Sequence, residues 1–266
     1  MAGNNRFWQQ FMSKEADKEL LDNNIDPLEE GLAGISWVEN SRRIVKEKIK
    51  KTQETLGEEI GNTITHGVMA LFFLGMIPYV AVRAYTGAAE GMQIIDTVSL
   101  SIYMISMFLM FLGSTIYHAM NHDTAQKRVM ARINHVMFFW AIAGSYTPIC
   151  LSIIGGKLGL GICIAQWSMV LVGTLIKSIA SNKSKFFKAI SFLMYLIMIW
   201  MLAFCLHRFR VAATAPAFWL VLTGVICYTV GLIFYSTKFK FAHMLWHFFI
   251  NFGAICHFIG LVYFLR

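Results

Sequence analysis

The sequence predicts an all-α membrane protein: a seven-transmembrane helix bundle, with the N-terminus cytoplasmic and the C-terminus outside. Three observations predict it. Of the 266 residues, 57% are hydrophobic and only 14% are charged, whereas a soluble domain carries nearer a quarter charged residues. Seven apolar segments each approach the ~20 residues that a helix needs to cross a bilayer. Finally, 12 of the 15 acidic residues lie at or before Glu59; only Glu90, Asp96 and Asp123 follow, all outside the apolar cores.

The chain divides near residue 57. Residues 1–57 are polar and mixed in charge and read as a cytoplasmic N-terminal region; 58–266 are the transmembrane domain. Between Trp37 and Glu59, the apolar residues Ile44, Val45, Ile49 and Leu56 lie among Lys and Arg. That pattern fits an amphipathic helix lying on a membrane surface and, equally, a solvated helix. The first residues are polar, so no cleavable signal peptide is expected and insertion begins with an internal span.

The spans are expected at 63–85, 95–118, 133–153, 160–181, 189–206, 216–236 and 242–265. The links between them are short and polar, such as Gly155-Gly-Lys and Thr237-Lys-Phe-Lys. With the N-terminus inside, the cytoplasmic links carry eight basic residues: Lys127, Arg128, Arg132, Lys183, Lys185, Lys188, Lys238 and Lys240. The outside links and C-terminus carry five: Arg83, Lys157, Arg208, Arg210 and Arg266. Lys177 sits near a cytoplasmic helix end, and the N-terminal region adds nine more to the inside. The positive-inside rule therefore favours N-in, C-out. The net charge of +8 reads as topology charge rather than a nucleic-acid patch, so no nucleic-acid partner is expected. The five cysteines lie in or beside apolar spans without a CxxC pair and are expected as buried thiols, not a disulfide framework.

This topology gathers the polar residues of the spans at one level. Glu59, Asn62 and His66 open the first span, Ser114 and His118 close the second, Asn134 and His135 open the third, and His243 and His247 open the seventh. All fall toward the cytoplasmic face. Residues four apart share a helix face. His243-x3-His247 therefore offers two imidazoles to one ion, and a third histidine from another helix at the same depth would complete a three-His zinc site. Ionisable groups at membrane depth are costly and point to function. The bland reading of any one of them is an ordinary interfacial or packed histidine. It fits best for His135, as a surface or headgroup contact, for His207 on the outer side, and for His257, about 15 Å along the helix from His247. His122, four residues after His118, is the substitute ligand should the assignment fail.

Glu59-x2-Asn62-x3-His66, Ser114-x3-His118 and His243-x3-His247 together resemble the three signature motifs of the hemolysin III family. This is the bacterial branch of the progestin and adiponectin receptor family, within a seven-helix group that includes alkaline ceramidases. The stretch Ala141-Ile-Ala-Gly-Ser-Tyr-Thr-Pro148 also resembles the bacterial members, and the similarity covers about residues 55–266. The resemblance implies a zinc ion held by His118, His243 and His247, with Asn62 and His66 behind the ligands. It implies a place in the cytoplasmic (inner) membrane of a bacterium, with membrane lipids as partners.

One position departs from the pattern. The family carries an aspartate at the start of the third helix, and Asn134 stands there. An amide can hydrogen-bond a water but cannot take its proton. Of the remaining carboxylates, Glu59 is the candidate base, although a hydrogen bond tying the first helix to a neighbour accounts for it better. Ser114 is expected to position a zinc-bound water or a ligand imidazole rather than to act as a nucleophile.

Four functions follow. The first reading is a zinc membrane protein that acts on or senses lipids and contributes to membrane homeostasis. The second is a zinc-dependent intramembrane hydrolase of lipid amides, similar to ceramidases, using Asn134, Ser114 and Glu59. A pore-forming cytolysin, as the family name suggests, has little support, because the spans carry no polar stripe. Haem ligation suits two histidines on one helical face less well than a small ion does.

Overall fold

The computed structural model describes residues 55–122, 124–179, 185–237 and 239–265. Residues 1–54 of the expected N-terminal region, and Asp123, lie outside the described residues. Among the described residues there are seven helices long and apolar enough to cross a membrane, and no strand. They are α1 (Leu56–Gly87), α2 (Gln93–Ala119), α3 (Ala125–Pro148), α4 (Gly156–Ile179), α5 (Lys185–Trp200), α6 (Ala215–Ser236) and α7 (Ala242–Tyr263). A π turn, Ile149–Ile154, extends α3. A 3-10 segment, Met201–Cys205, and a short helix, Leu206–Ala212, extend α5.

Several helices begin before the apolar stretch that marks them in the sequence. Hydropathy detects only the greasy part of a span, while capping chemistry sets where the helix starts. At the head of α1, Thr55 Oγ1 accepts the Glu58 N–H at 3.3 Å, and Glu58 Oε2 accepts the Thr55 N–H at 2.8 Å. This capping box satisfies two backbone donors that the first turn leaves open. It adds two turns to α1 and places Glu59 and Asn62 on regular helix. Thr124 caps α3 with a single bond, its Oγ1 accepting the Lys127 N–H at 3.1 Å.

The cap of α1 also positions α7. Glu58 Oε1 accepts the Phe241 N–H at 2.7 Å, and Phe241 takes a left-handed backbone with φ of 65°. A bulky residue avoids this region, and here the carboxylate holds its N–H. The starts of α1 and α7 are thereby fixed side by side, which sets the register of everything one or two turns further in.

α1 packs along α2, α2 along α3, and α6 along α7. Phe73, Tyr103, Met104, Phe111 and Leu261 are fully buried in the resulting core. Outward-facing Val68, Leu71, Leu171, Phe204 and Trp219 are exposed, an apolar coat suited to lipid tails rather than water. The fifth span is broken after Trp200, which would strand backbone groups at membrane depth. Tyr146 and Gln166 meet them. Tyr146 Oη donates to Ile199 O at 2.7 Å and accepts from Leu202 N at 2.8 Å, and Gln166 Nε2 donates to Met198 O at 2.9 Å.

Candidate metal centre

Three histidines converge where α2 ends and α7 begins. His118 lies on the last turn of α2, and His243 and His247 lie one turn apart at the head of α7. Their ring centroids are 5.0 Å apart in all three pairs. One ligand nitrogen from each lies within 4.8 Å of the other two, so the group could hold a metal ion. His118 and His247 are buried and His243 is half-buried.

The neighbours fix which nitrogens point inward. Glu59 Oε2 accepts from His118 Nδ1 at 2.6 Å, which turns Nε2 toward the centre. Thr65 Oγ1 donates its single proton to Asn62 O at 3.0 Å. Toward His247 Nδ1, at 3.3 Å, it therefore acts as acceptor, and Nδ1 carries the ring proton. That leaves His247 Nε2 with a lone pair, buried and without a hydrogen bond. A buried nitrogen of this kind is what a metal ligand looks like before the ion is added. The residues present therefore fit the group that the resemblance implies.

A layer of polar side chains holds the triad. Glu59 Oε1 also accepts from the buried Lys127 Nζ at 2.7 Å, and the same ammonium donates to Met120 O at 2.9 Å. Glu59 thus ties α1 to α2 and α3 with both oxygens occupied. His122 Nε2 reaches this carboxylate at 3.2 Å, so its nearest partner is Glu59 rather than the triad. Ser114 Oγ lies 2.7 Å from His66 Nδ1, and the imidazole it holds is not a member of the triad. His66 in turn stacks on His247 with centroids 3.6 Å apart.

The chain matches the family described as Haemolysin-III related over residues 54–258. It is 31% identical over 211 residues to the hemolysin-3 homolog of Bacillus subtilis (strain 168), covering 79% of this chain and 95% of that protein. Against hemolysin-3 of Bacillus cereus it is 31% identical over 220 residues, covering 82% and 96%. The chain belongs to the haemolysin-III-related family.

In this haemolysin-III-related protein the remaining expected residues are scattered around the centre. Asn62 and His66 are fully buried on α1. Asn134 is buried near the head of α3, and its Oδ1 makes no hydrogen bond to the histidines or to any other group. His135 gives its carbonyl to the Tyr195 hydroxyl at 2.8 Å. His207 is exposed at the other end of the bundle, and His257 is packed between α6 and α7. Sequence reasoning did not single out Thr65 or Lys127. The Thr65 position was within reach, since it sits one residue before His66. Lys127 gave no such signal, because it looked like one more topology charge.

An apolar cavity adjoins the triad, between α2, α3, α5, α6 and α7. It is open to the outside over part of its length. His135, Tyr235 and Trp246 line its near end. Trp246 packs on His243 and His247, with centroids at 4.8 and 5.2 Å. The cavity runs from His135 to Tyr146 on α3 and from Trp246 to His257 on α7, about 16 Å at the helical rise.

Proposed function

We propose that the triad holds zinc and that the protein acts on or senses a membrane lipid lodged in the adjoining cavity, as part of membrane homeostasis. The observation that carries this is the juxtaposition itself: three converging imidazoles beside an elongated apolar cavity whose near end is lined by Trp246. Three histidine nitrogens suit zinc and leave a fourth position for water or a ligand oxygen. A converging set serves a small ion better than the two opposed axial positions of a haem. The excess of basic residues on one side supports a bacterial cytoplasmic membrane with the N-terminus inside.

Zinc, when bound, supplies a Lewis acid and a water of lowered pKa. What the chain adds here is holding rather than proton transfer. Glu59 orients His118 and is neutralised by Lys127, so its carboxylate is committed. Asn134 can donate or accept a hydrogen bond but cannot remove a proton. This combination supports a lipid-binding or sensing role over hydrolysis of a lipid amide. The name of the Bacillus cereus relative suggests a cytolysin, but an apolar cavity is a poor path for ions and water.

The reading is tested in cells that lack the protein, restored with the wild type or with His118→Ala. The expected result is altered membrane fluidity or lipid composition, corrected only by the wild type. Unchanged membranes in the deleted strain contradict it. Purified Asn134→Asp supplies the second arm: turnover of a lipid amide by the variant, and not by the wild type, separates a silenced hydrolase from a sensor.

A further inference from the structure

Arg83 is held in place at the end of the bundle away from the triad. It lies on α1, about 36 Å along the helix from Glu59. Its Nε donates to Val262 O at 3.0 Å, one of the last carbonyls of α7, which the helix itself leaves without a partner. The guanidinium carbon sits 4.7 Å from the centre of the Tyr263 ring. Tyr79, one turn earlier on the same face of α1, has its ring centroid 6.5 Å from that of Tyr263. A hydrogen bond and an aromatic face thus restrain a side chain that ordinarily samples many rotamers, so less freedom is lost when it binds a ligand.

This seat occupies Nε and one face of the guanidinium and leaves its terminal fork. Among the described residues, the two terminal nitrogens of Arg83 make no hydrogen bond, and no carboxylate pairs with them. Arg83 is exposed, and it continues an apolar stripe on α1. Val68, Leu71, Gly75, Tyr79 and Val82 follow one another at spacings of three or four, all exposed. The stripe runs about 21 Å along the helix, longer than the ~15 Å that half of a bilayer core spans. A permanent cation beside an apolar coat, with no carboxylate to balance it, calls for an anion at the same level. The head group of a lipid lying against α1 supplies one.

We propose that Arg83 binds the phosphate of a membrane phospholipid whose acyl chains lie along the exposed stripe of α1. The planar fork donates to two phosphate oxygens, a geometry that a lysine ammonium does not reproduce. The stripe selects a lipid over a soluble phosphate. The site lies on the lipid-facing surface and rests on neither the triad nor the cavity.

The test is native mass spectrometry of the purified full chain with phosphatidylglycerol and with diacylglycerol of the same acyl chains. The expected result is that the phospholipid binds about tenfold tighter, the scale of one charge-assisted hydrogen bond. Arg83→Gln is expected to abolish this preference while binding diacylglycerol as the wild type does, which also reports that it is folded. Arg83→Lys is expected to fall between the two. Lys157→Gln, which removes an exposed charge outside this seat, is expected to keep the full preference. Equal affinity of the wild type for both lipids overturns the inference, as does a preference that survives in Arg83→Gln. A preference lost equally in Lys157→Gln overturns it too, by showing general attraction to charge. Displacement of the phospholipid by an equal concentration of glycerol phosphate overturns the choice of a lipid over a soluble phosphate.

Discussion

His66 lies flat against His247, with ring centroids 3.6 Å apart and planes 8° from parallel. His66 is itself held by Ser114 at 2.7 Å and edge-on by Phe111 at 5.0 Å. A ligand ring that cannot rotate keeps its nitrogen aimed at one point. The Asn62/His66 and Ser114 motifs therefore bear on the candidate metal centre through packing, without either motif supplying a ligand from those positions. His66→Phe is expected to keep the flat contact and leave zinc affinity within a few fold. His66→Ala opens a void beside His247 and is expected to cost about 3 kcal/mol of stability and about tenfold in zinc affinity, read by chelator competition.

Glu59 and Lys127 form a buried pair, each side chain 8% exposed. Glu59→Gln leaves the Lys127 ammonium without its carboxylate, a change that costs about 3–5 kcal/mol in buried pairs. It also loosens His118, which is expected to lower zinc affinity ~10–100-fold. Adding Lys127→Met to Glu59→Gln should recover thermal stability but not zinc affinity. Recovery of both would mean that Glu59 acts only as a counter-ion.

Tyr146 separates fold from site. Its hydroxyl bridges Ile199 O and Leu202 N across the break in the fifth span. Tyr146→Phe strands both groups, at about 1–3 kcal/mol each. The melting temperature is expected to fall while zinc content stays at the wild-type level. Loss of zinc in this variant would show that the break, far along α3 from the triad, is coupled to the metal centre.

Adding zinc to metal-depleted protein is expected to raise stability. At a free concentration 100 times the dissociation constant, the gain is about 2.7 kcal/mol. The His118→Ala and His247→Ala proteins should show no such gain. A melting temperature that rises equally in all three would place the zinc elsewhere.

The seven spans were legible because acyl-chain thickness imposes one length on every crossing helix, and composition alone carries that signal. The triad was legible because His243 and His247 share a helix face and helix counting puts His118 at their level. What lies behind the triad was legible only in part. Ser114 was expected beside a ligand or its water and instead holds His66, because a serine spacing on one helix says nothing of which neighbour faces it. Lys127 looked like a topology charge until folding buried it against Glu59. The broken fifth span depends on side chains meeting across helices with no shared sequence period, so no local pattern announced it.

Binding of one metal ion by the triad between α2 and α7 is tested most directly by metal analysis of the purified protein. The wild type is expected to carry about one zinc per chain, with His118→Ala, His243→Ala and His247→Ala each losing it, and His122→Ala and His257→Ala each keeping it. Zinc retained in the three triad variants, or lost only with His122→Ala, would contradict it.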